Sequence, residues 1–341
     1  MDHRVDRSAV TIADEFAEKI RQSNRKDRII RTAPLIVLAV LIVFFSLTAG
    51  RGFASASNLQ AILNQLAIPL IVAFGLTFVI LIGSIDLSIN GTVGMAGSVF
   101  ACLVLNSEYP GLNMGLWGAL LAILASVVAG FLVGIIYVKL RIPSFMVSFA
   151  FLYICRGIGM LSYQGHPPTI RDPLFLSLAK ASFLGIPFIT WVAIILFGVC
   201  YFIQEYTAFG RHIYAVGTNE SIPRSVGVNV GRVKVMVFTL GGLLFGIAGV
   251  VGAIRLGQGQ VGIGEGLMFP AQAAVVVGGT SLAGGKGGVL NTVVGVLIMT
   301  VLSNGLVLLS VNPYIRTGIE GVIILVAVAL TIQRSRQAIS K

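Results

Sequence analysis

The chain is 341 residues long, 56% of them hydrophobic and 11% charged, with a mean hydropathy of +0.94 and a formal net charge of +11. A soluble protein carries about 25% charged residues, so this deficit excludes a water-soluble enzyme. The basic residues lie in tails and short loops, which argues against a nucleic-acid partner and for a membrane chain that keeps its cations on the inner side.

Residues 1–32 are polar and rich in Arg and Lys, and Ile12, Phe16 and Ile20 recur every four residues, the spacing of a short amphipathic helix. Arg25, Lys26, Arg28 and Arg31 then cluster where the first apolar run begins, a pattern suited to anionic lipid. A charged stretch ahead of that run is unlike a signal peptide. Between Pro34 and Asn106 the only charged residues are Arg51 and Asp86.

Apolar spans are expected at 33–50, 62–83, 91–106, 115–138, 143–163, 187–204, 233–254, 268–283, 288–310 and 317–333, about ten transmembrane helices of an all-α polytopic bundle. With the N-terminus inside, the even-numbered connections should be cytoplasmic. Lys139 and Arg141, the group Arg211, Arg224, Arg232 and Lys234, then Lys286, and finally Arg334, Arg336 and Lys341 all fall there. The expected organisation is a cytoplasmic segment 1–32, a transmembrane domain 33–333 and a cytoplasmic tail 334–341, in the bacterial inner membrane with both termini inside. Arg51, Arg171, Lys180, Arg255 and Arg316 are the outward exceptions. Gly130 with Gly134, and Gly242 with Gly246 and Gly249, mark close helix packing.

Cys102, Cys155 and Cys200 sit in apolar runs without paired spacing, so neither a disulfide framework nor a zinc site is indicated. The run from Gly257 to Gly262 matches GxGxxG but follows a span, not a strand. In the glycine-rich stretch 278–288, Thr280 stands where a phosphate loop needs its first glycine and Gly287 where it needs a hydroxyl. The chain has no readable nucleotide site, metal cluster or catalytic group, and it is not read as an enzyme.

Three features carry information. The polar knot from Gly83 to Gly91 holds Asp86, Ser88 and Asn90 inside a long apolar run. An intramembrane carboxylate is costly and usually functional, whereas an acceptor at this place also suits the start of a helix near Leu87; both readings stand. Arg156, beside Gly157, either lines a path or reaches for the outer interface. The connection 205–234, with Gly217, Asn219, Glu220, Arg224 and Gly227, is the longest inner polar loop and has room for one or two short surface helices. A transporter without a nucleotide site needs such a surface for an external motor.

At these residues the chain resembles the membrane permease subunits of ribose/xylose/arabinose-type bacterial ABC importers. The likeness rests on Gly75 to Leu81 followed by Ile85-Asp86-Leu87-Ser88, on Arg156-Gly157, on Asn219-Glu220 with Arg224 and Gly227, on Ala273 to Gly285, and on Asn304-Gly305-Leu306. It departs from the family pattern at Ser84 and Asn90, which replace glycines, at Ile222-Pro223, which replace alanines, and at Met268 and Pro270. The resemblance implies a type II importer-like bundle, a second permease copy in a homodimer or heterodimer, separate ATPase subunits that carry ATP and magnesium, and a periplasmic sugar-binding protein. It also implies that loop 205–234 docks the ATPase. Asp86, Ser88, Asn90, Thr280, Ser281 and Asn304 are then the expected path residues, and Arg171, Lys180, Arg255 and Arg316 the expected contacts for the binding protein. Permeases for nucleosides or branched-chain amino acids, and an ion-coupled carrier using Asp86, remain as rival readings.

Overall fold

A computed structural model describes residues 32–109 and 112–331. The expected N-terminal amphipathic helix, the basic cluster at 25–31 and the tail cations Arg334, Arg336 and Lys341 lie outside the described residues. Thirteen helices are present among those described: α1 (Thr32–Thr48), α2 (Ala56–Leu81), α3 (Ile89–Leu103), α4 (Leu116–Leu140), α5 (Ser144–Tyr163), α6 (Pro173–Lys180), α7 (Phe188–Tyr206), α8 (Ala208–Thr218), α9 (Ser221–Ser225), α10 (Val230–Leu256), α11 (Met268–Val277), α12 (Val289–Leu308) and α13 (Pro313–Thr331). Among the described residues, β structure is confined to isolated bridges between Asn106 and Ile170 and between Thr169 and Gln258, and a short hairpin, β1 (Ser182–Phe183) against β2 (Ile186–Pro187). Leu184 and Gly185 both take positive φ at its turn, as the twist of a two-residue hairpin loop requires.

A helix stands at each of the ten expected places, but the described residues do not confirm ten full spans. Among the described residues, six helices are long and apolar enough to cross a membrane: α2, α4, α5, α7, α10 and α12. The clearest shortfalls are α3, with 15 residues, and α11, with 10. At 1.5 Å per residue these rise about 22 and 15 Å, against a hydrocarbon core of about 30 Å. The segment expected to span 268–283 stops being helical at Val277 because a glycine-rich loop follows, and hydropathy does not register that change.

Burial sorts centre from periphery. In α2 and α10, 78% of the most apolar window is buried, against 33% in α4 and α5 and 28% in α7. The first two form the core of the bundle, and the others turn apolar residues such as Trp117, Leu161 and Ile195 outward, as a lipid-facing helix does. Small residues bring the central backbones together. A Cβ at Gly130 would stand 3.0 Å from the Gly242 Cα, and one at Gly246 would stand 2.8 Å from the Ser126 Cβ. Close backbone approach is the main contact energy between helices in lipid, so the expected packing role of these glycines matches their placement.

Candidate translocation and coupling site

Two interruptions of helical backbone touch each other where α2 ends and α12 begins; Asp86 and Thr280 within them are buried, whereas Gly83, Ile85 and Lys286 are exposed. The first runs from Ile82 to Ser88, between α2 and α3. Backbone N–H groups outside a helix need other partners, and here side chains supply the acceptors. Ser144 Oγ accepts from the Ile85 amide at 3.1 Å and Ser148 Oγ from the Leu87 amide at 3.0 Å, both from α5. From α11, Gln272 Nε2 donates to the Asp86 carbonyl at 3.3 Å.

The Asp86 carboxylate is buried, and its two hydrogen bonds both come from Ser88: the amide at 2.8 Å and the hydroxyl at 2.6 Å. It therefore closes a local turn immediately before α3, which begins at Ile89 with Ser88, not Asp86, at the capping position. Asn90 turns its Oδ1 to the Met268 amide at 3.0 Å, which ties α3 to α11.

The second interruption is the glycine-rich loop between α11 and α12. Thr280 is fully buried and its Oγ1 accepts from the Gly288 amide at 3.3 Å, while the Ser281 amide donates to the Lys286 carbonyl at 2.9 Å. Gly284 and Gly285 take φ of +85° and +70°, where a side chain would be strained. The Gly285 amide then donates to the Leu81 carbonyl at 2.9 Å, joining the second interruption to the end of α2. Asn304, the remaining expected path residue, is buried and donates to Asn58 Oδ1 at 3.0 Å, so it links α12 to α2.

Onto this junction fits the connection expected at 205–234. It is shorter than that, because α7 continues to Tyr206 and α10 begins at Val230, and it contains two short helices, α8 and α9. Thr207 Oγ1 caps α8 by accepting from the Gly210 amide at 3.1 Å. Gly217 of α8 lies so close to the Leu81 carbonyl and the Gly285 amide that no side chain fits. Tyr214 Oη donates to the Gly287 carbonyl at 2.7 Å. Burial, with a smaller push from the Glu205 carboxylate, raises the Tyr214 phenol to about 12, so it keeps the proton that it donates. Gln204 Oε1 accepts from the Val289 amide at 2.7 Å and so holds the start of α12.

The other connection residues have distinct jobs. Asn219 Oδ1 accepts from the Ser221 amide at 3.0 Å and its hydroxyl at 2.8 Å, which starts α9. Pro223 lies in the first turn of α9, where its missing N–H costs little. Glu220 pairs with Lys234 at 2.5 Å and with the exposed Arg224 at 3.7 Å. Gly227, at φ +82°, turns the chain into α10.

At the opposite end of α10, Arg171, Lys180 and Arg255 are exposed. The Ile170 amide binds the Gly257 carbonyl at 2.9 Å and the Arg171 amide binds the Leu105 carbonyl at 2.8 Å, so this strip is pinned to the ends of α3 and α10. Arg316 sits in the first turn of α13 and pairs at 3.9 Å with Glu320 of the same helix.

One pair was not foreseen. Arg156 Nη2 lies 2.8 Å from Glu265 Oε1, 109 residues away, with side chains 46% and 56% exposed. The sequence signal for it was available: a lone intramembrane cation and one carboxylate in the link between α10 and α11. Arg156 thus has its partner on the 3₁₀ turn side of that link and does not pair with Asp86.

Comparison with known proteins gives a consistent answer. Residues 58–328 match the family described as "Branched-chain amino acid transport system / permease component". The chain is similar to the probable ABC transporter permease protein YphD of Escherichia coli K12, 39% identical over 89% of this chain and 91% of that one. It is 38% identical to the ribose import permease protein RbsC of the same strain, over 86% of this chain and 91% of that one. It is 32% identical to the L-arabinose ABC transporter permease protein AraH of Azospirillum brasilense, over 90% of this chain and 89% of that one. No solved structure matches it.

Proposed function

We propose, starting from the fact that this chain belongs to the permease family described as the branched-chain amino acid transport system / permease component, that it is the translocation subunit of an ATP-driven importer for a monosaccharide. Relatives named for ribose and L-arabinose import, which cover nearly the whole chain, favour sugar over the amino acids in the family's description. The observation that carries the mechanism is the seating of α8: Gly217 touches both the end of α2 and the loop before α12.

A motor bound at α8 and α9 pushes on a point where two helices are already interrupted. Interrupted helices move as separate rigid pieces, so a small displacement there re-aims α3 and α12. ATP and magnesium reside on the separate ATPase, and the sugar arrives on a periplasmic binding protein that docks against Arg171, Lys180, Arg255 and Arg316. A second permease copy completes the path. The half-exposed Arg156–Glu265 pair supports a watery face beside α5, because ions within a membrane turn to protein or water. Asp86, Ser88, Asn90, Thr280, Ser281 and Asn304 line this path indirectly, by holding the helix pieces that border it.

The test is reconstitution in lipid vesicles with the co-encoded ATPase and binding protein, followed by uptake of labelled ribose, L-arabinose and galactose. Uptake of one of them that needs both ATP and the binding protein is the expected result. Accumulation by the chain alone on an ion gradient would refute the proposal.

A further inference from the structure

We infer that Lys234 is a positioning residue that conveys movement of the coupling connection to the first helix interruption, through Tyr137 and Ser84. This rests on the importer reading above and adds to the backbone contact at Gly217 a second, side-chain route. Four side chains from four parts of the fold form the line. Glu220 stands at the N-terminus of α9, Lys234 near the start of α10, Tyr137 on α4, and Ser84 within the interruption.

The Lys234 ammonium lies 2.5 Å from Glu220 Oε1 and 4.9 Å above the Tyr137 ring. The Tyr137 hydroxyl accepts from Ser84 Oγ at 3.3 Å. Ser84 is buried, and the next amide, that of Ile85, is held by Ser144 of α5.

Burial makes Lys234 the active member. Its side chain is 13% exposed, whereas Arg224, the other cation on Glu220, is 71% exposed and 3.7 Å away. An exposed pair is screened by water, but a largely covered ammonium stripped of its carboxylate is disfavoured. Moving Glu220 therefore drags the ammonium, and the ring beneath it is attracted to the same charge. Tyr137 in turn packs edge-on against Phe238 of α10, with ring centroids 5.7 Å apart. The ring cannot absorb the displacement by swinging freely, so its hydroxyl shifts against Ser84.

The experiment uses the full complex of permease, ATPase and binding protein in vesicles, supplied with whichever of labelled ribose, L-arabinose or galactose the wild type accumulates. ATP hydrolysis and sugar uptake are measured together for Lys234→Met, Tyr137→Phe and Lys234→Arg. Hydrolysis is expected to stay within about twofold of wild type in all three. Uptake per ATP is expected to fall about tenfold in the first two, within the range of ordinary coupling between sites. Lys234→Arg keeps both the carboxylate pair and the stacking on the ring, and is expected to restore most of the uptake. Unchanged uptake per ATP in both Lys234→Met and Tyr137→Phe overturns the inference. So does a parallel loss of hydrolysis and uptake with the ATPase no longer co-purifying, since that marks a purely structural lysine. A wild-type complex that takes up none of the three sugars with ATP overturns the importer reading itself.

Discussion

Replacing Gly217 with alanine adds one carbon where α8 meets both interruptions. That carbon would stand 2.6 Å from the Gly285 nitrogen and still nearer the Leu81 carbonyl, whereas ordinary contact begins at 3.4 Å. The two groups it strikes are the donor and acceptor of the 2.9 Å bond between Gly285 and Leu81, so α8 must lift off or that bond must open. Overpacking of this kind together with one lost buried hydrogen bond costs about 3 kcal/mol. The cost falls on the state in which α8 is seated and lowers its population by up to about a hundredfold. Uptake, ATP hydrolysis and thermal unfolding of the reconstituted complex measure it. Gly198→Ala is the control, since a Cβ there meets nothing within 4 Å and alanine suits a helix better than glycine. Uptake by Gly217→Ala that matches Gly198→Ala would refute the idea that this contact transmits the motor's push.

Further outcomes are expected elsewhere. Ser144→Ala and Ser148→Ala each remove the acceptor of a part-buried amide of the first interruption, and each is expected to cost about 1 kcal/mol in detergent unfolding. Arg156→Met is expected to change stability by less than about 1 kcal/mol, because its pair is half exposed; a much larger loss would mean the pair is sealed from water. Tyr214→Phe removes the donor to Gly287. Since the phenol is raised from 10.0 to about 12, the stability it adds is fully present below pH 10 and is lost as pH rises towards 12. Unfolding curves for wild type and Tyr214→Phe recorded against pH are therefore expected to converge only in that alkaline range. Gly227→Ala, at φ +82° in open space, is expected to cost about 1 kcal/mol through backbone strain alone.

Much of the candidate site was legible because its signals are local. The polar knot around Asp86 stood out against apolar neighbours, and the composition of 205–234 marked it as a connection with room for the short helices α8 and α9. The roles of the individual residues were less legible. Asp86 reads as an exposed functional carboxylate or as a local acceptor, and only burial and the bonds from Ser88 separate the two. That Thr280 meets Gly288 and Asn304 meets Asn58 is not readable from the sequence, because packing fixes each partner. Glu265 passed unnoticed because its partner is 109 residues away.

The sequence by itself determined the membrane class and the approximate position of each apolar helix, since both follow from charge and hydropathy along short windows. Only the tertiary structure decided that α3 and α11 fall short of a full span, that two interruptions meet at Leu81 and Gly285, and that Gly217 is wedged between them. Glycine, alanine and valine score as apolar whether they are helix or loop, so hydropathy is blind to where a buried helix stops. Which amide then meets which carbonyl depends on packing between segments more than a hundred residues apart, and no local pattern encodes that.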